Sequence, residues 1–448
     1  MKLSFQNIGK VAKADIEIDA ITVITGENDT GKSTVGKLMY GLYTALHELT
    51  PRYLLQHKFE SLYDDVNWVI ESIGGTNIGK EAARDILELT NYVFSVFNEV
   101  SITVAQDEVD LITEKENKLD SSIKELIKKI SIIDDINVTE NKKARMKIVL
   151  EDMLEKSNKR SSNEDTKRLL IENILLEEFS NSLTTEINTK NADIHFTEDK
   201  ENYLELKFSN NKIIKGEICI IKNRNFSQVF YIENPFILDT LNGPGFLAYR
   251  TRGGYNHIDR LVNLLFIKGE KNFFEEAMKE DAITNILSSV LDGKIIKSPS
   301  GYKYHSQALA EPIPIKNISA GMKSFALLQL LIDLGHLNKR SEMLIVDEPE
   351  IHLHPDWQLK YAELIVLLAK EYQLRVLITS HSFNFINAIE LYSQKHKIDE
   401  GVNFYKTNSL ENGMTEIINV TEDLESLYAD MIGPIEIFEK MEEELDGR

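Results

Sequence analysis

The sequence of 448 residues contains a single cysteine, Cys219, so an internal disulfide framework is excluded and a reducing compartment is indicated. No run of 18 apolar residues occurs, and Met1–Phe5 is typical of the start of a strand rather than of a secretory signal. These absences exclude disulfide-stapled and membrane-spanning classes. We therefore expect a cytoplasmic protein that has no membrane partner.

Basic residues are also scarce, since 51 Lys and Arg face 72 Asp and Glu and give a formal net charge of −21. This charge does not favour a surface broadly committed to nucleic acid, although it leaves room for a local basic groove. Three short basic stretches occur, at Lys124–Lys129, Lys142–Lys147 and Arg250–Arg252. Each lies beside acidic residues, so a solvated face explains them better than a DNA track.

A nine-residue run near the start of the chain, GENDTGKST at Gly26–Thr34, matches the phosphate-loop pattern G-x-x-x-x-G-K-[ST] without a mismatch. It follows an apolar, strand-like segment, Ile21–Thr25, and precedes a helical pattern, which is the context that such a loop requires. We predict that ATP binds here, with Lys32 at the β- and γ-phosphates and Ser33 on Mg²⁺. The predicted phosphate-binding residues are Gly26, Glu27, Asn28, Asp29, Thr30, Gly31, Lys32, Ser33 and Thr34.

Two further apolar strands end in polar residues about 320 to 350 positions after the phosphate loop. Met343–Val346 runs into Asp347 and Glu348; Asp347 is predicted to hold Mg²⁺ and Glu348 to take a proton from the attacking water. Leu374–Thr379 runs into His381, which is predicted to contact the γ-phosphate or that water. Taken alone, the acidic pair would fit a solvated strand end, and the histidine a structural role.

The segment Asn317–Lys323 (NISAGMK) combines a helix-capping serine with a small turn before an apolar helix. A second helix amino terminus of this kind is a second anion site. We predict that Ser319, Gly321 and Lys323 bind the nucleotide of a neighbouring chain. An ordinary helix cap is the alternative.

The order of these motifs resembles that of ABC-type ATPase heads, and within them the OLD-like and RecF/SMC-like ATPases (AAA_15 and AAA_21). The resemblance covers Met1–Tyr43 and Asn317–Glu390 closely and the residues between them weakly. It implies a head dimer in which ATP lies between two chains and Ser319 and Gly321 act in trans. It also implies that His352 and His354 lie where the two heads meet; a metal site at this pair is the alternative.

Two departures from the family pattern stand out. The signature is Ser-Ala-Gly-Met-Lys instead of the Ser-Gly-Gly-Gln of transporter heads. A glutamine loop is not evident, and its candidates are Gln228 and the segment Tyr231–Pro235.

The predicted fold is α/β: a P-loop NTPase head of ABC type, with a mixed or parallel sheet and an antiparallel subdomain, interrupted by a helical insertion. Residues 1–47 form the first part of the head, and residues 48–190 form the insertion, in which Leu119, Ile123, Leu126, Ile130 and Ile133 repeat at four-three spacing. Residues 191–312 are rich in strands and helices. Residues 313–448 complete the head.

Larger OLD-type proteins append a TOPRIM nuclease after the head, whereas here residues 382–448 alone follow His381. We therefore expect a separate effector protein, a nuclease or toxin, and a homo-oligomer of at least two chains. The leading hypothesis is an ATP-dependent switch of the kind that resembling anti-phage ATPases provide. A RecF/Rad50-like DNA-repair or DNA-organising ATPase is the alternative. A transporter subunit is disfavoured by the long spacing between phosphate loop and signature.

Overall fold

Short, fully apolar strands alternate along the chain with longer strands in which every second residue is apolar, and both kinds join one sheet. The computed structural model describes residues 1–49, 109–131, 140–158, 164–184, 191–198, 203–219, 228–241, 256–267, 276–298, 301–306, 308–337 and 343–431, with scattered positions from 54 to 95 and residue 441. Within these residues the strands are β1 (Lys2–Ile8), β2 (Val11–Glu17), β3 (Ile21–Thr25), β4 (Asn191–Thr197), β5 (Tyr203–Ser209), β6 (Lys212–Cys219), β7 (Val229–Ile232), β8 (Gly293–Ser298), β9 (Gly301–Ser306), β10 (Ile313–Pro314), β11 (Met343–Asp347), β12 (Arg375–Ser380), β13 (Val402–Ser409) and β14 (Thr415–Asn419).

Nine α-helices and four short 3₁₀ helices are described in the same residues. The α-helices are α1 (Lys32–Glu48), α2 (Val109–Ser131), α3 (Glu140–Asn158), α4 (Glu164–Glu178), α5 (His257–Leu264), α6 (Glu276–Val290), α7 (Ala320–Asp333), α8 (Pro355–Glu371) and α9 (Phe383–His396). The 3₁₀ helices are Pro235–Leu241, Ile315–Asn317, Pro349–His352 and Asp399–Gly401. None of the helices in the described ranges has both the length and the apolar character that crossing a membrane requires.

Eleven of the described strands form one mixed sheet in the order β6-β5-β4-β1-β2-β14-β13-β3-β12-β11-β7. Its β13-β3-β12-β11-β7 part is parallel, and β3, β7 and β11 are buried at every residue, as expected for strands covered on both faces. The β6-β5-β4-β1-β2 part is antiparallel and alternates buried with exposed residues along β1, β4 and β5. The predicted α/β fold with a mixed sheet and an antiparallel part is confirmed.

The register of the parallel strands brings the ends of distant segments together. Ile24 of β3 pairs with Thr379 of β12, and Thr379 pairs with Asp347 of β11. Because parallel strands end at the same edge, the phosphate loop after β3 and the acidic pair at the end of β11 share the carboxyl edge of the sheet.

Two compact units divide the chain: Met1–His47 with Glu172–Arg448, and Glu48–Ile171. In the second unit α2 buries Leu119, Ile123, Leu126 and Ile130, the predicted four-three stripe, while Ile133 lies outside the described residues. In the first unit β8 and β9 pair as an antiparallel hairpin.

Candidate nucleotide site

The phosphate loop turns sharply between β3 and α1. Three of its residues have positive φ: Gly26 at 149°, Asp29 at 63° and Gly31 at 86°. At Gly26 a Cβ atom would lie 1.8 Å from the Thr407 hydroxyl, and at Gly31 it would lie 2.7 Å from Val11, so both positions require glycine. The backbone therefore adopts a turn that larger residues would prevent.

Threonines from the end of the chain brace this loop. Thr407 of β13 donates to the Thr30 hydroxyl at 3.0 Å, and Thr415 of β14 donates to the Thr30 carbonyl oxygen at 2.8 Å. Thr30 in turn donates to the carbonyl oxygen of Glu27 at 2.7 Å. The shape of the loop is thus held by strands that lie almost 400 residues later in the chain.

Lys32 is the first residue of α1, and its side chain is almost fully buried. Its Nζ donates to the carbonyl oxygens of Gly26 at 2.9 Å and Glu27 at 2.7 Å, and it lies 3.3 Å from Glu348 Oε1. The ammonium group therefore stands inside the loop, next to the predicted general base.

Ser33 and Asp347 fit a magnesium ion. Ser33 Oγ lies 3.2 Å from Asp347 Oδ1. Mg²⁺ binds oxygen ligands at about 2.0–2.1 Å in an octahedral shell, in which neighbouring ligands are about 3 Å apart. A hydroxyl and a carboxylate at this separation can therefore belong to one shell.

Hydrogen bonds hold both oxygens of Asp347. Oδ1 accepts from the Thr379 hydroxyl and from Ser33, and Oδ2 accepts from the Tyr231 hydroxyl at 3.1 Å. Burial raises the pKa of this carboxyl group, and the three donors partly offset the rise. A nearby cation would favour the ionised form further.

Glu348 follows β11 in a left-handed backbone conformation, with φ 44° and ψ 55°. Such a conformation costs a non-glycine residue about 1–2 kcal/mol. The amide of Glu348 donates to the carbonyl oxygen of Thr379 at 3.0 Å, which fixes the turn. The carboxylate lies next to Lys32 and 3.7 Å from Nδ1 of His381, so the predicted base and the histidine predicted to contact the γ-phosphate are neighbours.

A buried carboxylate, Glu350, organises the loop that carries His381. Its Oε1 accepts from the Ser380 hydroxyl at 2.7 Å and from the amides of His381 and Ser382 at 2.8 and 3.2 Å. The same oxygen lies 3.3 Å from His381 Nδ1. The sequence offered a signal for this role, since Glu350 is the second glutamate of the Asp-Glu-Pro-Glu run, but we did not predict it.

The signature segment lies at the start of α7. Ser319 is exposed and caps the helix by accepting from the Met322 amide at 3.3 Å. Gly321 packs so closely that a Cβ atom would lie 2.9 Å from Trp357 and 3.0 Å from the His352 carbonyl oxygen. Lys323 is buried, and its Nζ lies 2.7 Å from Asp239 Oδ1 and 4.7 Å from the centre of the Phe236 ring. The phosphate-binding role of these three residues stays a prediction, and the Lys323 contacts are those of a packing residue.

The two candidates for the glutamine loop lie at opposite ends of β7. Gln228 precedes the strand, and its carbonyl oxygen accepts from the Met343 amide at the amino edge of the sheet. Ile232 pairs with Val346, which brings Glu233 beside Asp347 at the carboxyl edge. Only the Tyr231–Pro235 segment is therefore close to the phosphate loop.

The two histidines after Glu348 have local contacts. His354 caps α8 by accepting from the Asp356 amide at 3.3 Å, and the ring of His352 packs edge-on against Phe236. In the part of the chain that the structure describes, no group of three or more His, Cys, Asp or Glu side chains is arranged to hold a metal ion.

The family model AAA_15, described as an AAA ATPase domain, matches residues 1–386. The chain belongs to this AAA ATPase domain family. No curated protein matches the chain.

Solved structures similar to this AAA ATPase domain chain include three SMC heads. One is a head bound to the C-terminal winged-helix domain of ScpA, with 11% identity, TM-score 0.39, and 93% of this chain and 96% of that chain covered. The head domain from Thermotoga maritima shows 10% identity, TM-score 0.36, and coverage of 94% and 98%. A head with an extended coiled coil, bound to the C-terminal domain of ScpA and derived from Pyrococcus furiosus, shows 10% identity, TM-score 0.33, and coverage of 96% and 98%.

Proposed function

We propose that this AAA ATPase domain protein hydrolyses Mg²⁺-bound ATP between two copies of the chain and uses the cycle to switch a partner protein. One observation carries the proposal. Lys32, Glu348 and His381 come from three elements spread over 350 residues, yet Glu348 lies 3.3 Å from Lys32 and 3.7 Å from His381 at one edge of the sheet. A cation, a carboxylate and an imidazole in one place suit phosphoryl transfer to water.

The phosphate loop would hold the triphosphate through its inward amides and the amino terminus of α1. Lys32 would meet the β- and γ-phosphate oxygens. Because Glu348 already occupies one side of the Lys32 ammonium group, an incoming γ-phosphate competes with that carboxylate. Binding of ATP would therefore release Glu348 towards the water that attacks.

In the chemical step, the water oxygen bonds to the γ-phosphorus while the bond from that phosphorus to the β,γ-bridging oxygen breaks. Glu348 takes the proton of the water, and ADP and phosphate leave. His381, held by Glu350, would stabilise charge on the γ-phosphate or orient the water. Mg²⁺, held by Ser33 and Asp347, would supply charge neutralisation on the phosphate oxygens.

Pairing of two chains would complete the site. Ser319 is exposed at a helix amino terminus, where it can bind a phosphate group of the nucleotide held by a second chain. Ile351, three residues after Glu348, is 57% exposed although it is apolar. Both features support a surface that a second copy covers when ATP is bound, with His352 and His354 beside it.

The assignment to OLD-like anti-phage ATPases that control a separate nuclease or toxin rests on the resemblance of the motifs. The RecF/Rad50-like alternative differs in its ligand, since DNA would then bind and stimulate turnover. The acidic net charge of −21 supports the effector-switch hypothesis over it.

Phosphate release by the purified protein, with Mg²⁺ or with EDTA, tests the proposal. We expect Mg²⁺-dependent turnover that the Lys32→Ala variant lacks. Addition of double-stranded DNA at low and high salt separates the two hypotheses: salt-sensitive stimulation supports DNA repair, and turnover indifferent to DNA supports the switch. Absence of Mg²⁺-dependent turnover and of ATP binding would contradict both.

A further inference from the structure

A buried aromatic side chain connects the predicted magnesium ligand to a group of charges outside the site. Tyr231 is the third residue of β7 and is 1% exposed. Its hydroxyl donates to Asp347 Oδ2 at 3.1 Å. Tyr231 was not predicted to take part in nucleotide binding. Its hydroxyl nevertheless contacts the oxygen of Asp347 that neither Ser33 nor Thr379 contacts.

A glycine in α1 makes room for this contact. At Gly36 a Cβ atom would lie 3.2 Å from the Tyr231 hydroxyl oxygen and 3.3 Å from Ile345. Glycine inside a helix costs about 0.5–1 kcal/mol relative to alanine. The phosphate-loop helix therefore carries a destabilising residue at the position where the tyrosine hydroxyl reaches Asp347.

A buried histidine also holds the ring of Tyr231. His257 stacks on it with the ring centres 4.3 Å apart and the planes 26° apart, and Tyr40 of α1 contacts the His257 ring edge-on. His257 Nδ1 lies 2.7 Å from Glu178 Oε1, and Nε2 lies 3.1 Å from Glu233 Oε2. Two carboxylates, one on each ring nitrogen, make both nitrogens donors and fix the plane of the imidazole.

The backbone around the histidine is fixed as well. The His257 amide donates to Glu178 Oε2 at 3.0 Å, and Asn256, which caps α5, reaches Glu177 at 3.3 Å. The Glu178 side chain is fully buried, and His257 is its ion-pair partner. Lys37 of α1 lies 3.9 Å from Glu233. These contacts hold the His257 ring against the ring of Tyr231.

We infer that Tyr231 is a positioning residue for Asp347, and that His257 with Glu178 and Glu233 holds the tyrosine ring so that its hydroxyl presents the carboxylate to Mg²⁺. This inference rests on the proposed function, because it assumes that Asp347 binds the metal of Mg²⁺-ATP. Tyr231 acts through Asp347 and contacts neither ATP nor the metal.

The test compares the Tyr231→Phe variant with wild type by fluorescence titration of a labelled ATP, first in EDTA and then over a range of Mg²⁺ concentrations. The substitution keeps the ring and its stack and removes one hydrogen bond to a carboxylate. We expect affinity in EDTA to stay within about twofold and the Mg²⁺ concentration for half-maximal effect to rise roughly tenfold. Tyr361→Phe is the matched control: Tyr361 is also fully buried, but it lies on α8 and its ring contacts Phe325 and Phe385.

A second variant, Gly36→Ala, tests the same contact without removing the hydroxyl and improves helix propensity in α1. Its added methyl group should displace the Tyr231 hydroxyl and weaken the Mg²⁺ response in the same direction. Folded Tyr231→Phe and Gly36→Ala proteins with the Mg²⁺ response of wild type, or a stronger one, would overturn the inference alone. Wild type that binds no ATP under either condition would overturn the proposed function and the inference with it.

Discussion

Lys58 and Lys32 are buried lysines from different compact units, and they differ in the charged groups that surround them. Lys58, in the Glu48–Ile171 unit, lies 2.9 Å from Glu116 and 2.8 Å from Asp120, and both carboxylates are largely buried. Lys32, in the other unit, contacts two backbone carbonyl oxygens and one partly exposed carboxylate, Glu348. The first lysine is compensated by fixed charges. Among the residues that the structure describes, Lys32 has one charged partner, Glu348, which a phosphate could replace. This difference is what we expect between the ligand-binding lysine that we propose and a structural one.

The largest expected effect separates these two lysines. Lys32→Ala should abolish measurable ATP binding in calorimetry with Mg²⁺ while the melting temperature stays close to wild type, because the side chain serves the ligand. Lys58→Ala should keep ATP binding and lower the melting temperature. It leaves two buried carboxylates without their cation and should lower the free energy of unfolding by about 3–5 kcal/mol. These two roles would be wrong if Lys58→Ala lost ATP binding while fully folded, or if Lys32→Ala bound ATP normally.

The next effect concerns the partner of Lys32. Glu348→Gln removes the predicted base and also the negative charge that competes with the γ-phosphate. Turnover should fall by about 10² to 10⁴-fold, and ATP should bind more tightly than to wild type. Single-turnover phosphate release and ATP titration measure the two changes. Turnover near the wild-type rate would remove Glu348 from the chemical step, whatever happens to affinity.

A smaller effect depends on pH and involves His257, which faces Glu178, Glu233, Tyr231 and Tyr40. Burial alone would lower the pKa of His257, but the hydrogen bonds to Glu178 and Glu233 outweigh it and raise the pKa from 6.5 to about 9. The contribution to stability is therefore complete below pH 6.5 and is lost as the pH rises towards 9. It amounts to about 3 kcal/mol.

Denaturant unfolding at several pH values measures this loss, and the His257→Gln variant is the control that should lack it. The same ion pair lowers the pKa of Glu233, so its energy is counted once. A wild-type profile that stays flat between pH 6.5 and 9 would show that the histidine is not charged in the folded protein.

The smallest effect is expected at the rim of the phosphate loop. Lys10 forms an ion pair with Asp29, but the Asp29 side chain is 81% exposed and the Lys10 side chain 39%. Such exposed pairs contribute about 0–1 kcal/mol. Lys10→Ala should therefore change the melting temperature little and leave ATP affinity within about twofold, as thermal unfolding and calorimetry would show. A large loss of affinity would mean that Lys10 itself meets the phosphates.

The candidate site residues that the sequence predicts are those that stand in a contiguous pattern. Lys32 and Ser33 belong to the phosphate-loop pattern, and Asp347 and Glu348 end an apolar strand; their types and order favour phosphate and metal binding, and these roles stay predictions. The strands themselves were also predictable, because buried parallel strands are continuous apolar runs. The order of the strands in the sheet was not predicted, because a linear pattern does not specify which strands pair.

The supporting contacts could not be predicted from the sequence. Thr407 and Thr415 brace the loop from nearly 400 residues away, and Tyr231 reaches Asp347 across 116 positions. Threonine and tyrosine are ordinary strand residues, so nothing local marks them as partners of a site. The Glu178–His257 pair joins the end of α4 to the start of α5, and helix-capping patterns in the sequence do not predict such tertiary pairs. These contacts depend on the register of the folded sheet, which the sequence pattern leaves open.

In the proposed dimer, two copies of the chain close on ATP, and the exposed Ser319 of each copy contacts the nucleotide of the other. Light scattering on the Glu348→Gln variant measures this association. With Mg²⁺ and ATP the molar mass should double, whereas with ADP, or after the added substitution Ser319→Arg, it should stay at the value without nucleotide. A molar mass that does not change at saturating ATP, or a doubling that Ser319→Arg leaves intact, would rule out the proposed dimer.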